Sequence, residues 1–353
     1  MSRRSLTLLI ASVGTAVAIA VSVLVPVPYV ILGPGPTLNT LGKDSSGRPL
    51  ITISGRASYP TTGHLNLVTV SYQGCAGNRF NIFTALVAWL NPHQAVVPEG
   101  EICPAGQTQK QTQEQDTQEM TSSQSTATAA ALTQLHIPYS TQVVVARPRK
   151  GFPAYGVLKA GDVITKVDGQ PVTSPGGLTK LVYAHPAGST LTLTIIRDGQ
   201  SRQVQVGTRQ EKGAGEVGGG HPVMGVEIRG QYQFPFQVKI SVGDIGGPSA
   251  GMMFSLGIID KLTKLDLTAG RFIAGTGEIE PGGKVDPIGG IQQKMVGARN
   301  AGATIFLTPA ANCADTKGAV PAGLRLVKVS TLNQAVTYLE ALKSGHPTSV
   351  PSC

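Results

Sequence analysis

The chain has 353 residues, 41 % of them apolar and only 14 % charged, against about 25 % charged in an ordinary soluble domain. That balance excludes a long disordered polyelectrolyte, and the length allows one to three domains with a sizeable core. The net charge of +9 comes from basic residues scattered along the chain, which argues against nucleic acid and leaves a weak attraction to anionic membrane as the better account.

Between Ser5 and Gly42 there is no charged residue. Leu6 to Val25 is a continuous apolar run with small residues mixed in, long enough to cross a hydrocarbon core as a helix, and Pro26 and Pro28 mark its end. Arg3 and Arg4 precede the run and no basic cluster follows it closely, so residues 1–5 are expected to stay in the cytoplasm and the rest of the chain to lie outside. The competing reading is a cleaved signal peptide, although the run exceeds the usual signal core. Four cysteines (Cys75, Cys103, Cys313 and Cys353) without C-x-x-C or Cys/His ligand spacing suit an oxidising compartment and two disulfides. Local pairing gives Cys75 with Cys103 and Cys313 with Cys353; the alternatives join Cys75 to Cys313 or to Cys353. The six histidines are isolated from one another, so no metal and no cofactor is expected.

Beyond the run, Ile51–Ser54 and His64–Ser71 alternate like strands, and Ile82–Leu90 reads as a short helix stopped by Asn91-Pro92. Residues 105–128 are rich in Gln, Thr and Ser and taken alone suggest a linker; Met120–Leu135 shifts toward Ala and Leu and reads as a helix ending before Pro138. Thr141–Ala146 is a strand. The stretch from Gly156 to Val172 then gives a turn, a strand, an Asp-Gly turn and a second strand. A helix follows near Gly177–Ala184, and strands Thr190–Ile196 and Gln203–Val206 are joined through Arg197-Asp198-Gly199 as a hairpin. Gly213–Gly220 is a flexible link. After it, strands at Phe236–Val242, Phe272–Ile279, Thr304–Leu307 and Leu324–Val329 alternate with helices at Ala250–Lys264, Ile291–Asn300 and from Thr331, where Thr331 and Gln334 stand in capping-box relation. That is an α/β pattern.

Two segments carry chemistry. Asp244-Ile-Gly-Gly-Pro-Ser-Ala-Gly-Met252 places a serine where a strand gives way to an apolar helix, a turn that exposes a hydroxyl beside the N–H groups of a first helical turn. An ordinary Gly-rich turn looks similar in part. Gly289-Gly-Ile-Gln-Gln-Lys294 opens a second helix with a lysine. No histidine lies between His221 and His346, and a lysine desolvated among apolar groups loses its proton readily enough to serve as a base. A single such lysine is more commonly a surface residue.

The stretch Gly151 to Ile164 followed by Val167-Asp-Gly169 resembles a bacterial PDZ domain over about 70 residues. The resemblance implies a unit that binds extended peptide ends by adding a strand to a sheet edge, with Thr141–Val145 and the helix at 177–184 as groove walls. A spacer is the bland alternative. Gly247-Pro-Ser-Ala-Gly251, Thr276-Gly-Glu278 and Pro287-Ile-Gly-Gly-Ile-Gln-Gln-Lys294 together resemble the proteolytic domain of the Lon proteases in order and spacing. That resemblance implies a serine–lysine dyad with Ser249 as nucleophile, Lys294 as general base and Thr276 as hydrogen-bond partner of the lysine. It also implies self-association.

No Gly-x-x-x-x-Gly-Lys-Ser/Thr phosphate loop is present, so ATP-driven unfolding of substrates is not expected. Anchor, PDZ and Lon-type parts in this order, with Val30-Ile-Leu-Gly-Pro-Gly-Pro-Thr37 and Met-Thr-Ser-Ser-Gln-Ser at 120–125, resemble the PDZ-containing Lon-like proteins of bacterial membranes. The expected architecture is a spanning helix over 6–28, a first part of an α/β (α+β) Lon-type domain over 45–135, and a β-sandwich-like PDZ unit over 139–210. A second, catalytic part follows over 211–345, and a tail over 346–353. The PDZ unit is then inserted in the peptidase fold; separate beads are the alternative. The function expected is an outward-facing, membrane-anchored, ATP-independent serine endopeptidase acting on proteins or peptides. The rival is a catalytically silent PDZ scaffold or adaptor.

Overall fold

The computed structural model describes residues 3–44, 46–75, 79–103, 106, 108–211, 220–346 and 349–353. The flexible link expected over Gly213–Gly220 falls almost wholly outside them. Two compact units emerge: residues 138–235, and a unit assembled from Met1–Ile137 and Phe236–Cys353.

The discontinuous unit opens with α1 (Arg3–Leu24), whose length and composition suffice to cross a membrane. It stops two residues before Pro26, so the span expected to reach residue 28 is shorter, and the chain enters strand β1 (Tyr29–Asn39) directly. That strand was not anticipated. It carries sheet partners ahead of residue 45, where the domain was expected to begin. Then come β2 (Ile51–Ser54), β3 (His64–Gln73), α2 (Ile82–Trp89), β4 (Ala95–Pro98), α3 (Glu99–Ile102) and α4 (Gln109–Gln134). The Gln/Thr/Ser-rich stretch read as a linker is therefore the first half of a long helix. Thr108 starts it with a capping box: its hydroxyl accepts from the Gln111 N–H while the Gln111 side chain accepts from the Thr108 N–H. The second half holds it in place, because Ala127 and Ala129 through Leu132 are buried and α4 packs on α6 (Gly251–Leu262) of the later segment.

The second unit contains β5 (Ser140–Pro148), β6 (Val163–Val167), β7 (Gln170–Pro171), α5 (Pro175–Tyr183), β8 (Thr190–Arg197), β9 (Gln200–Gly207), β10 (Arg209–Glu211), β11 (His221–Val223) and β12 (Val226–Gln233). Its antiparallel sheet has the order β12-β5-β6-β8-β9, with β7 on β6. Asp198 and Gly199 form the two-residue β8–β9 loop with φ of 53° and 74°, the left-handed pair that matches strand twist. Val143, Ile164, Leu178, Leu191, Leu193 and Met224 form its core. This unit runs to 235 rather than 210, because β12 pairs with β5 along its whole length. Consequently β5 is bonded on both sides and cannot be a groove wall; among the described residues the sheet's edge strands are β12 and β9, and β12 is the one beside α5.

The chain returns to the first unit with β13 (Gln237–Ile240), paired to β2, followed by α6, β14 (Phe272–Gly275), β15 (Glu278–Ile279), β16 (Val285–Asp286), α7 (Ile291–Asn300), β17 (Ile305–Pro309), a 3-10 turn at Ala310–Thr316, β18 (Arg325–Val329) and α8 (Leu332–Lys343). Six strands form one mixed sheet, β18-β17-β14-β3-β1-β4, parallel from β18 to β3 and antiparallel from there. The single strand expected over Phe272–Ile279 is interrupted at Thr276–Gly277. There the backbone leaves the sheet, the Gly277 N–H turning to the carbonyl of Ser249. Thr331 caps α8 through the Gln334 N–H, but the Gln334 side chain reaches back to the Ser330 N–H rather than to that of Thr331. Both local disulfides are formed, Cys75–Cys103 and Cys313–Cys353.

Candidate active site

Ser249 sits in the turn between β13 and α6, and neighbours on both sides hold that turn. From α4, the carbonyl of Asp116 accepts the Gly247 N–H at 3.1 Å and the Ser123 hydroxyl donates to the Pro248 carbonyl at 2.9 Å. From the break in the sheet, the Gly277 N–H and the Thr276 hydroxyl both donate to the Ser249 carbonyl at 2.9 Å. The fit is close. A Cβ on Gly246 would fall 2.5 Å from the Asp116 Cβ, and one on Gly251 would fall 2.7 Å from the Ile279 side chain.

Lys294 comes from the first turn of α7, whose buried face (Ile291, Met295, Ala298) packs with Val68, Ala274 and Phe306. This packing carries the Lys294 stem into the interior, where the residue is only 4 % exposed. Its Nζ lies 2.9 Å from the Ser249 Oγ and 3.3 Å from the Thr276 Oγ1. Burial among apolar groups brings the Lys294 amine down from 10.5 to about 8, since no neighbour repays the loss of water around an ammonium. Thr276 is fully buried, and its single proton is committed to the Ser249 carbonyl, so toward Lys294 its oxygen acts as acceptor. Ser249, Thr276 and Lys294, expected from the sequence, therefore converge. Glu278 of the same motif does not face them; it lies with Glu119 and Ser123 in a neighbouring recess.

Ser249 and Lys294 open into a cleft of about 460 Å³, walled by Leu32, Val68, Val70, Ile102, Met120 and Ile245. Asp116 and Tyr72 also line it and were not anticipated. Asp116 is pushed up chiefly by burial and then by Glu119, and Tyr72 is pushed up by burial and then by Asp116. The one sequence signal pointing to this wall was the Met-Thr-Ser-Ser-Gln-Ser segment, four residues beyond Asp116 on the same helix. Among the described residues no group of three or more His, Cys, Asp or Glu side chains is placed to hold a metal.

In the second unit, α5 and β12 flank a groove lined by Leu178, Val182, Tyr183, Met224, Val226 and Ile228. Gly225 opens β12 at φ +76°, and a Cβ there would collide with the Phe152 ring.

Residues 236–341 match the family of the Lon protease (S16) C-terminal proteolytic domain, and residues 111–208 match the PDZ domain family. The chain thus combines a PDZ domain with a Lon-type proteolytic domain. The PDZ match begins inside α4 and ends before β12, whereas the compact unit spans 138–235. Among similar proteins, Lon protease of Heliobacterium modesticaldum is 38 % identical over 206 residues, 56 % of this chain and 24 % of that protein. Lon protease 1 of Bacillus subtilis is 27 % identical over 192 residues, 52 % and 24 % respectively. Lon protease of Rickettsia typhi is 31 % identical over 122 residues, 33 % and 15 %. The chain thus spans at most about a quarter of the length of these relatives. Among solved structures, the PDZ domain of the SdrC-like protein of Listeria innocua is 24 % identical, covering 25 % of this chain and 92 % of that one with a TM-score of 0.22.

Proposed function

We propose that this protein is a serine endopeptidase working through a Ser249–Lys294 dyad without ATP, anchored by α1 with its cleft on the outer side of the membrane. The observation that carries the reading is the 2.9 Å approach of a buried, readily deprotonated Lys294 amine to the Ser249 hydroxyl. At that distance the ammonium donates to the hydroxyl, whereas the neutral amine accepts from it. In the neutral form Lys294 takes the serine proton as Oγ attacks a peptide carbonyl, giving a tetrahedral oxyanion and then an acyl ester. The ammonium so formed protonates the leaving amine, and a water molecule activated by the same amine hydrolyses the ester. Thr276 is a positioning residue, turning the lysine toward the hydroxyl. The first N–H groups of α6 are partly engaged, Gly251 with Pro248 and Met252 with Gly277, which leaves the amides of Ser249 and Ala250 as donors for the oxyanion.

The PDZ groove between α5 and β12 would deliver an extended segment by strand addition to β12. Cleavage of an unfolded protein by the full chain in vesicles without ATP tests the reading, with Ser249→Ala alongside. The fragment 33–353 is unsuitable, because it would cut β1 inside the main sheet. Under the rival scaffold reading the wild type and Ser249→Ala would leave the substrate equally intact.

A further inference from the structure

Helix α2 is built inside out. Its inner stripe, Asn81, Thr84, Ala85 and Ala88 at spacings of three and four, is small or polar and lies toward the protein, with Ala88 buried. Its large side chains point outward. Phe83, Leu86, Val87 and Leu90 form the exposed i, i+3, i+4, i+7 stripe, flanked by Ile82 and Trp89, and Trp89 and Leu90 are 70 % and 69 % exposed. A helix on a water-facing surface arranges these the other way round, and a contiguous apolar patch of this kind marks a contact. No Asp, Glu, Lys or Arg occurs between Arg79 and Glu99 to keep the segment in water.

The neighbouring element indicates what covers this face. The Val27 N–H donates to the Phe80 carbonyl at 3.0 Å, Pro26 bridges to Asn81, and α1 packs on α2. Helix α2 therefore starts level with the end of α1, where a spanning helix leaves the hydrocarbon, and its apolar face continues the wholly exposed apolar surface of α1. We propose that α2 lies in the interface of the bilayer that α1 crosses, with Phe83, Leu86, Val87, Trp89 and Leu90 seated among lipid headgroups and upper acyl chains. An interfacial helix of this type sinks its apolar face about 5–10 Å, and tryptophan favours that depth.

The proposal rests on the anchored reading above and adds a second attachment. A single span leaves the unit free to tilt; two contacts fix it. Leu32 in the cleft wall is eight residues past Leu24, less than about 30 Å of chain, and Ile102, which also lines the cleft, adjoins Cys103 of the Cys75–Cys103 bridge that follows β3. The cleft is thereby held near the membrane surface.

Trp89 is the only tryptophan, so the full chain reports on itself. In phosphatidylcholine–phosphatidylglycerol vesicles, its emission is expected at short wavelength, quenched by nitroxides high on the lipid acyl chains and shielded from aqueous iodide. In the double variant Leu86→Glu, Leu90→Glu, the lipid quenching should be lost while the protein still floats with the vesicles through α1 and cleaves soluble peptide at the wild-type rate. A floating protein whose Trp89 is open to iodide overturns the proposal alone. So does a Trp89 shielded from both quenchers, which would mean that another protein surface covers α2. A chain that fails to float removes the anchored reading and the proposal with it.

Discussion

Lys294 Nζ and Ser249 Oγ stand 2.9 Å apart across 45 residues of sequence, in direct hydrogen-bond contact. Lys294 reaches that position because the rest of its helix face is core, and Ser249 because α4 and the interrupted strand at Thr276 clamp its turn. If the two act as one unit, Ser249→Ala and Lys294→Ala should each remove cleavage. The double variant should then be no slower than either single one, since nothing remains for the second change to remove. Rates of acyl-ester formation with an activated ester substrate would measure this. A Lys294→Ala protein that retained most of the wild-type rate would refute the dyad.

Because the neutral amine is the reactive form and Lys294 titrates at about 8, kcat/KM should rise with pH through that value. The same burial bears on stability. Below pH 8 both folded and unfolded states hold the Lys294 proton and the folded state bears the full cost of burying a cation. Between 8 and the ordinary 10.5 the unfolded chain binds more protons than the folded one, so stability rises with pH across that window. The interval 10.5 − 8 = 2.5, at about 1.4 kcal/mol per pH unit, gives about 3 kcal/mol. Lys294→Met should therefore be inactive yet more stable than wild type at pH 7 by up to about 3 kcal/mol, with the gap closing toward pH 10. Urea unfolding at pH 7 and pH 9.5 checks both the sign and the trend. A variant less stable than wild type at pH 7 would show that the lysine is not a strained cation there.

The three converging residues were legible because each lies in a short motif whose glycines and proline fix local backbone. The wall behind them was not. The first half of α4 has no apolar stripe, since Gln111 through Glu119 contribute capping and backbone contacts rather than core, and the Thr108–Gln111 box that starts the helix was not read from the sequence. Strand β12 was missed although Val226, Ile228 and Tyr232 alternate with Glu227, Arg229, Gln231 and Gln233, because it follows a Gly-rich stretch that reads as an ending. The groove wall was assigned to Thr141–Val145 through the PDZ resemblance, and the sequence pattern alone says nothing of which strand stays at the edge.

Gly290 and Gly289 offer a matched pair. Gly290 precedes α7 at φ +67°, its carbonyl accepts the Lys294 N–H at 3.0 Å, and a Cβ there would lie 2.6 Å from a methyl of Val70. Alanine at 290 is strained in the left-handed region and must push α7 from the sheet, costing about 1–3 kcal/mol. Each ångström by which Lys294 is displaced should also lower kcat by roughly a hundredfold. A Cβ at Gly289 meets nothing within 4 Å, so Gly289→Ala should leave the unfolding midpoint unchanged. Equal midpoints for the two variants would show that Gly290 does not set the helix start.

The C-terminal tail is fastened where the main sheet ends. Strand β18 is an edge, and its Lys328 N–H donates to the Pro351 carbonyl at 3.0 Å while Val350 is buried beside it. Eight polar and proline-rich residues would not hold that position by packing alone; the bridge from Cys353 to Cys313, in the turn after β17, does so by closing a 40-residue separation. Loop closure of this length contributes about 2–4 kcal/mol. Cys353→Ser should lower stability by that amount, and Cys313→Ser with Cys353→Ser should cost no more than either single change, because one bond is lost in each case. Peptide cleavage at 25 °C should persist, since among the described residues the hydrogen bonds of Ser249, Thr276 and Lys294 involve none of the tail. Thermal unfolding with and without reductant measures the effect: reductant should bring the wild type toward the variant and leave a Cys75→Ser, Cys353→Ser protein unmoved. A Cys353→Ser midpoint equal to that of oxidised wild type would mean that the sheet edge holds the tail without the covalent bond.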